Sequence, residues 1–131
     1  MTAPLLPSGG RARMRRLASL TVTSVLSIVY LWLGTTPNPP GVFAHLADAT
    51  SHSVGYGLLA VASRATAVTW GLPAPALVAF SYALAHGGLL ELAQGLGEAR
   101  RAEWRDLAWD GVGVVAALAL VEGVRRVRCA C

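Results

Sequence analysis

The stretch LASLTVTSVLSIVYLWLG, residues Leu17–Gly34, decides the fold, because this apolar run contains no charged side chain. A bilayer core about 30 Å thick needs about 20 helical residues, with about 17 as the lower limit, so the run predicts a membrane-spanning helix. A basic start before an apolar run is also typical of a signal peptide. Because the only tolerable cleavage site is Val42-Phe43-Ala44, we favour an uncleaved first span.

The composition of the whole chain also indicates a membrane protein. Of 131 residues, 54% are hydrophobic and only 14% are charged, and the mean hydropathy is +0.52. The net charge of +4 would suit a nucleic-acid partner, but most of the arginines crowd the two ends of the chain. Arginines that flank apolar segments follow the positive-inside rule, so we predict a lipid bilayer as the partner and no nucleic acid. These terminal arginines are Arg11, Arg13, Arg15, Arg16, Arg125, Arg126 and Arg128.

Three further apolar segments follow the first, over about 44–67, 76–96 and 106–124. In the second segment, Arg64 lies ~24 Å along the helix from Asp48, so we expect it to reach the headgroups on the far side. Four spans place both chain ends on the same side of the membrane, and both ends are rich in arginine. The sequence therefore predicts an all-α integral membrane bundle of four transmembrane helices in the cell membrane, with both termini cytoplasmic.

This topology divides the chain into three parts. Residues 1–16 are predicted to be a disordered basic cytoplasmic tail, 17–124 the transmembrane domain, and 125–131 a second basic tail. Cys129 and Cys131 lie in that second tail, and we interpret them as reduced thiols without a function.

The few polar side chains of the apolar segments recur at helical spacing, so that each set shares one helix face. With this topology all of them fall in the outer half of the bundle. Carboxylates are costly in lipid, and such residues usually face a protein interior or a wet cavity and mark function. The three sets are Asp48, His52 and Tyr56; Glu91 and Gln94; and Asp106, Asp110 and Gly113.

The residues around these sets resemble the VanZ-like family of small bacterial membrane proteins over about 44–118. One part of the resemblance is Asp48-Ala-Thr-Ser-His52 followed by Tyr56. The other is Glu91-Leu-Ala-Gln94 followed, at the spacings of the family, by Arg100, Asp106, Asp110 and Gly113. The sequence departs from the family at Ala49, where a lysine is common, at Glu98-Ala99, where Pro-Gly is usual, and at Asp110, where asparagine is usual.

The resemblance implies an integral membrane protein linked to the cell envelope and to the response to glycopeptide antibiotics such as teicoplanin. It supplies no reaction. We therefore expect an accessory or binding role, in which an outward-facing polar pocket holds a lipid-linked cell-wall precursor or contacts an envelope protein. The predicted binding residues are Asp48, His52, Tyr56, Glu91, Gln94, Arg100, Asp106 and Asp110.

Two alternatives remain open. The protein could be an intramembrane enzyme acting on a lipid-linked or phosphate-bearing substrate, with His52 or Glu91 as acid or base and Asp48 orienting His52. Arg100 or Arg101 would then hold the anionic group. Alternatively, the polar residues only fix helix packing, with Glu91 paired to Arg100 and Gln94 bonded across helices. Tyr82 is predicted to be a core residue.

A metal site is not predicted from the sequence, and no cofactor is expected. The chain has side chains that zinc accepts in His52, His86, Glu91 and Asp106, but no H-E-x-x-H or close Cys/His spacing supports a zinc site.

Overall fold

The computed structural model describes residues 8–36, 48–96 and 103–130, except for the side chains of Ser8 and Asp48, and its elements are all α-helices. The all-α class predicted from the sequence is confirmed. The four helices are α1 (Ser8–Thr35), α2 (Asp48–Thr69), α3 (Pro75–Leu96) and α4 (Trp104–Ala130).

The two arginine-rich ends are more ordered than the sequence predicted. Helix α1 begins at Ser8, so the basic residues before Leu17 are helical rather than a disordered tail. Helix α4 likewise continues through its arginines to Ala130. Arginine, alanine and methionine favour helix, so α1 extends to residues before its apolar segment. Cations suit the C-terminal end of a helix dipole, which also favours the extension of α4.

The short connection between α2 and α3 is fixed by a glycine with positive φ. Gly71 has φ 69° and donates its N–H to the Val68 carbonyl, while the Leu72 N–H reaches the Ala67 carbonyl. These two bonds form a Schellman motif, which ends α2 and satisfies carbonyls of its last turn. The chain then turns directly into α3.

The helices alternate in direction, and α2 packs against all three of the others. At what we call the site end, α1 and α3 end and α2 and α4 begin. At the opposite end, the arginine end, α1 begins and α4 ends. Helices α2 and α4 approach closely at Gly113, where an added Cβ would overlap the Ser53 backbone. Small residues allow such close approach of helices in a membrane.

The outer surface of the bundle is apolar. Ile28 on α1, Leu92 on α3 and Leu120 on α4 are each at least 65% exposed. Three helices, α1, α3 and α4, are long and apolar enough to cross a membrane. Helix α2, which carries histidine, arginine and several hydroxyl groups, is not among these three. One of its faces packs against the other helices, and the opposite face, with Val54 and Leu58, is exposed. A membrane-embedded bundle follows from this apolar exterior and polar interior.

Polar contacts also continue into the half of the bundle near the arginine end, where the sequence predicted none. Between α1 and α2, the hydroxyls of Thr23 and Thr66 lie 2.9 Å apart, as do those of Ser19 and Thr69. Arg64 was expected to reach lipid headgroups, but its Nε donates to Glu122 Oε1 on α4 at 2.7 Å. The carboxylate of Glu122 therefore holds the guanidinium of Arg64 between α2 and α4.

Tyr82 was also predicted wrongly, as a core residue. Tyr82 is 40% exposed, and its hydroxyl lies 2.8 Å from Ser27 Oγ on α1. An amphipathic side chain satisfies both surroundings in this way, with the ring toward lipid and the hydroxyl hydrogen-bonded.

Candidate functional site

His52 on α2 is the centre of a polar cluster at the site end. Its Nδ1 lies 2.7 Å from Asp110 Oδ1, and its Nε2 lies 3.6 Å from Asp106 Oδ2. Both aspartates belong to α4, one turn apart, and α2 crosses α4 closely at this point because Gly113 has no side chain. The imidazole is thus held between two carboxylates, and Asp110 fixes its orientation.

Asp110 is itself buried against α3. It is 0% exposed, and its Oδ2 lies so close to Gly87 that a Cβ there would be only 2.5 Å away. Within the described residues, this oxygen has no hydrogen-bond partner. The missing side chain of Gly87 is therefore what makes room for the carboxylate between α3 and α4.

Glu91 brings a third carboxylate to the cluster, from α3. It is 6% exposed, and its Oε2 accepts the backbone N–H of Glu103 at 2.7 Å, just before α4 begins. An anionic group suits this position, because the first N–H groups of a helix lack partners inside the helix. Its other oxygen, Oε1, is buried and has no hydrogen-bond partner among the described residues.

The imidazole of His52 converges with the carboxylates of Glu91 and Asp106. One ligand atom from each lies within 4.8 Å of those of the other two. Each of the three residues comes from a different helix. We call these residues, together with Asp110, the acid–histidine cluster.

Below the cluster, Tyr56 connects it to a second histidine. The Tyr56 ring stacks on His52 with centroids 6.2 Å apart, and its hydroxyl lies 3.1 Å from His86 Nδ1. His86 Nε2 lies 3.1 Å from the Ser27 carbonyl on α1. His86 is therefore engaged with α1 and α2, and its ring does not join the convergent group formed by the other three.

An open groove lies beside the cluster on the outer face of α3. Its volume is about 480 Å³, and Glu91 is its charged member. Leu92 is 67% exposed and Trp104 is 83% exposed, so the groove faces the surface that lipid would cover. Its lining residues are Ala85, Gly88, Leu89, Glu91, Leu92 and Trp104.

The structure brings together most of the residues that the sequence selected for the site. His52, Glu91, Asp106 and Asp110 meet at one end of the bundle, as expected, and Tyr56 lies next to them. Gln94 donates to the Gly34 carbonyl on α1 at 2.9 Å, the interhelical bond that the packing alternative predicted.

Two predicted partners lie outside the described residues. The side chain of Asp48, expected to orient His52, is one, and Arg100, expected to pair with Glu91, is the other. Among the described side chains, Asp110 contacts His52 Nδ1, and the close crossing of α2 and α4 brings it there. The i, i+4 spacing that suggested Asp48 remains a prediction.

Sequence reasoning missed the contribution of Gly87 and of the groove. Gly87-Gly88 was a visible signal of close packing, but nothing in the sequence said that a carboxylate would fill the space. No protein-family model, curated protein or solved structure matches this chain.

Proposed function

We propose that this protein is a four-span integral membrane protein that binds the polar head of a lipid-linked molecule at the acid–histidine cluster. The supporting observation is that Glu91 belongs both to the buried cluster and to the lipid-facing groove. A hydrocarbon chain would lie along Leu89 and Leu92, and the attached head would reach Glu91 and then His52. An apolar groove with a few convergent polar groups is typical of a ligand site.

Helix α2 is the fourth span in this proposal, although it is less apolar than the other helices. Its histidine, hydroxyls and arginine face α1, α3 and α4 rather than lipid, so their transfer into the membrane is offset by hydrogen bonds and an ion pair. We further propose that both termini are cytoplasmic, because the terminal arginines favour that side. The site end then faces outward in the cell membrane.

A role at the cell envelope follows from this orientation and from the resemblance to the VanZ-like family. The head group would be that of a cell-wall precursor carried on a lipid, which is exposed on the outer leaflet. Holding such a precursor would change its exposure to glycopeptides, as an accessory protein in teicoplanin resistance would.

Photo-crosslinking tests the binding proposal. A photoreactive phenylalanine analogue replaces Leu92 in the groove or, as a control, Leu120 on the lipid-facing surface of α4. The protein is placed in phosphatidylcholine nanodiscs containing a radiolabelled polyprenyl-pyrophosphoryl disaccharide-pentapeptide. We expect the labelled precursor to crosslink at position 92 and not at 120, and Glu91→Gln to reduce the yield at least about tenfold.

The matched control variant is Glu103→Gln, which makes the same chemical change on an exposed side chain nearby. Equal crosslinking at positions 92 and 120 would show that the groove does not select this ligand. Unchanged crosslinking in a folded Glu91→Gln protein would show the same. Unfolding by Glu91→Gln would instead favour the packing alternative.

A susceptibility assay tests the cellular role. A Gram-positive host that expresses the protein should tolerate more teicoplanin than the same host with an empty vector. Glu91→Gln and His52→Gln should remove this difference at equal protein level in the membrane, whereas Glu103→Gln should keep it. Equal susceptibility with and without the protein would refute the glycopeptide-linked role and leave the binding proposal to the crosslinking result.

The second candidate function is an intramembrane enzyme, and the contact between His52 and Asp110 favours it. A histidine held by a carboxylate through Nδ1 presents Nε2 as an acid or base, a recurrent catalytic arrangement. The purified protein would then convert the labelled precursor to a product that thin-layer chromatography separates, and His52→Gln would abolish turnover. Absence of product from a protein that binds the precursor would leave the binding role alone.

A further inference from the structure

The convergent atoms of His52, Glu91 and Asp106 have the chemistry and spacing of a metal site. Imidazole nitrogen and carboxylate oxygen are ligands that zinc accepts, usually in tetrahedral geometry. Zinc–ligand bonds of about 2.0–2.1 Å place the ligand atoms of a tetrahedron about 3.3 Å apart. The separation of His52 Nε2 from Asp106 Oδ2 is 3.6 Å, and all three ligand atoms lie within 4.8 Å of one another. Small side-chain rotations would complete the coordination.

A second and independent observation points to a ligand at the same place. Glu91 is 6% exposed, and its Oε1 has no hydrogen-bond partner in the part of the chain that the structure describes. A buried carboxylate oxygen without a partner is costly, because it has lost water and gained no hydrogen bond. Its other oxygen is already held by the Glu103 N–H, so the carboxylate is fixed in position to present Oε1.

The surroundings of His52 match those of a metal-bound histidine. Metal-ligating histidines almost always donate their second ring N–H to a carboxylate or carbonyl, which fixes the tautomer and the ring plane. Asp110 Oδ1 occupies that place at Nδ1, at 2.7 Å. With the proton on Nδ1, the lone pair of Nε2 is available on the side of Asp106 Oδ2, which lies 3.6 Å away.

The charge of the cluster also favours a cation. Glu91, Asp106 and Asp110 bring three carboxylates together with one imidazole in a largely buried region. A divalent ion would offset the repulsion among the carboxylates, and buried charges are usually paired or bound to a metal.

We propose that the site end binds one divalent transition-metal ion, with Zn²⁺ as the best fit, through His52 Nε2, Glu91 and Asp106, while Asp110 orients His52. Three protein ligands from three helices would leave a fourth position for water or a ligand atom, as in catalytic zinc sites. The inference rests on the proposed function for what occupies that position. A phosphate or hydroxyl oxygen of the lipid head group fits, since the ion would make an acidic cluster attractive to an anion.

Equilibrium dialysis of the purified full-length protein against Zn²⁺, followed by metal analysis, tests the proposal without any lipid. Cys129 and Cys131 are replaced by serine in every sample, so that tail thiols do not bind the ion. We expect one ion per chain, and a visible spectrum with strong tetrahedral bands when Co²⁺ replaces Zn²⁺. Asp110→Asn should weaken binding about 10–100-fold, the range for loss of an orienting partner. His52→Gln and Asp106→Asn should weaken it further.

His86→Gln and Glu103→Gln are the matched controls, and both should keep the affinity of the parent protein. An ion-free parent protein, or equal affinity in His52→Gln, would overturn the inference. If His52→Gln loses its helical circular-dichroism signal, the Asp110→Asn variant provides the test instead. A Zn²⁺ affinity in Asp110→Asn equal to that of the parent protein, with an octahedral Co²⁺ spectrum, would overturn the inference.

The two proposals fail separately. If a protein shown to hold no metal still crosslinks to the labelled precursor, the binding function stands and the metal site is refuted. If the protein binds one Zn²⁺ tightly but shows no selective crosslinking at position 92, the metal site stands and the proposed ligand is refuted.

Discussion

The two carboxylate oxygens of Asp110 have different surroundings, and both matter to the site. Oδ1 binds His52 Nδ1, while Oδ2 fills the space that a side chain at Gly87 would need. The cluster therefore depends on a residue that carries no functional group. A change of one methyl group on α3 should be transmitted to the histidine on α2 through the carboxylate on α4.

Gly87→Ala tests this dependence. The new Cβ would lie 2.5 Å from Asp110 Oδ2, so the carboxylate must shift, and this shift disturbs its contact with His52. Overpacking of this kind costs about 1–3 kcal/mol, and we expect a lower thermal midpoint by circular dichroism in detergent. Zn²⁺ affinity should fall with it.

The adjacent glycine provides the control. A Cβ at Gly88 meets nothing within 4 Å, so Gly88→Ala should keep the parent midpoint or raise it, since alanine favours helix by up to about 1 kcal/mol. Equal midpoints for the two variants would mean that Asp110 does not occupy the space at Gly87.

At the scale of the elements, the position of α2 explains how a polar helix is accommodated in an apolar bundle. Its residues Leu59 and Ala60 are 0% exposed, and its polar groups bond to α1 on one side and α4 on the other. The crossing with α4 sets the depth at which His52 meets Asp106 and Asp110. Both the site and the fold thus require a short distance between α2 and α4 at this crossing.

Gly113→Ala should separate α2 from α4. The added Cβ would overlap the backbone of Ser53, which is unable to rotate away as a side chain can, so the helices must move apart. We expect a loss of at least about 1–3 kcal/mol in unfolding free energy, measured by steric trapping in bicelles.

Gly123→Ala on the same helix is the matched control, because a Cβ there meets nothing within 4 Å. It should be as stable as the parent protein. Should Gly113→Ala prove equally stable, the close crossing of α2 and α4 would be wrong.

At the scale of the whole molecule, the bundle has an apolar surface, and polar contacts between helices interrupt its apolar core along its length. The Arg64–Glu122 pair and the threonine contacts near the arginine end correct the expectation that polar residues stop halfway. The direction of this bundle in the membrane decides whether the acid–histidine cluster faces the envelope.

Thiol accessibility in intact cells tests the direction. Single cysteines at Asn38, Glu98 and Leu72 are introduced after Cys129 and Cys131 are replaced by serine. Leu72 is chosen because it is 45% exposed in the α2–α3 turn. We expect a membrane-impermeant maleimide to label positions 38 and 98 but not 72, because the arginine end should remain cytoplasmic. The reverse pattern would place the cluster on the cytoplasmic side and refute the envelope role.

The sequence by itself determined the four helices of the described residues, the apolar character of three of them and most members of the site. Apolar runs long enough to span a bilayer and polar residues at helical spacing are local patterns, and both are readable along one chain. His52, Glu91, Asp106 and Asp110 were selected in this way, and the structure brings all four together.

Only the tertiary structure decided which of these residues touch. Asp110 on α4 contacts His52, His86 turns to α1, and Arg64 pairs with Glu122, because contacts between helices depend on crossing depth and rotation. Small residues such as Gly87 and Gly113 set those two quantities, because a group of another helix occupies the space that their side chains would fill. A sequence shows a glycine but not its partner, and the geometry of the cluster therefore came from packing alone.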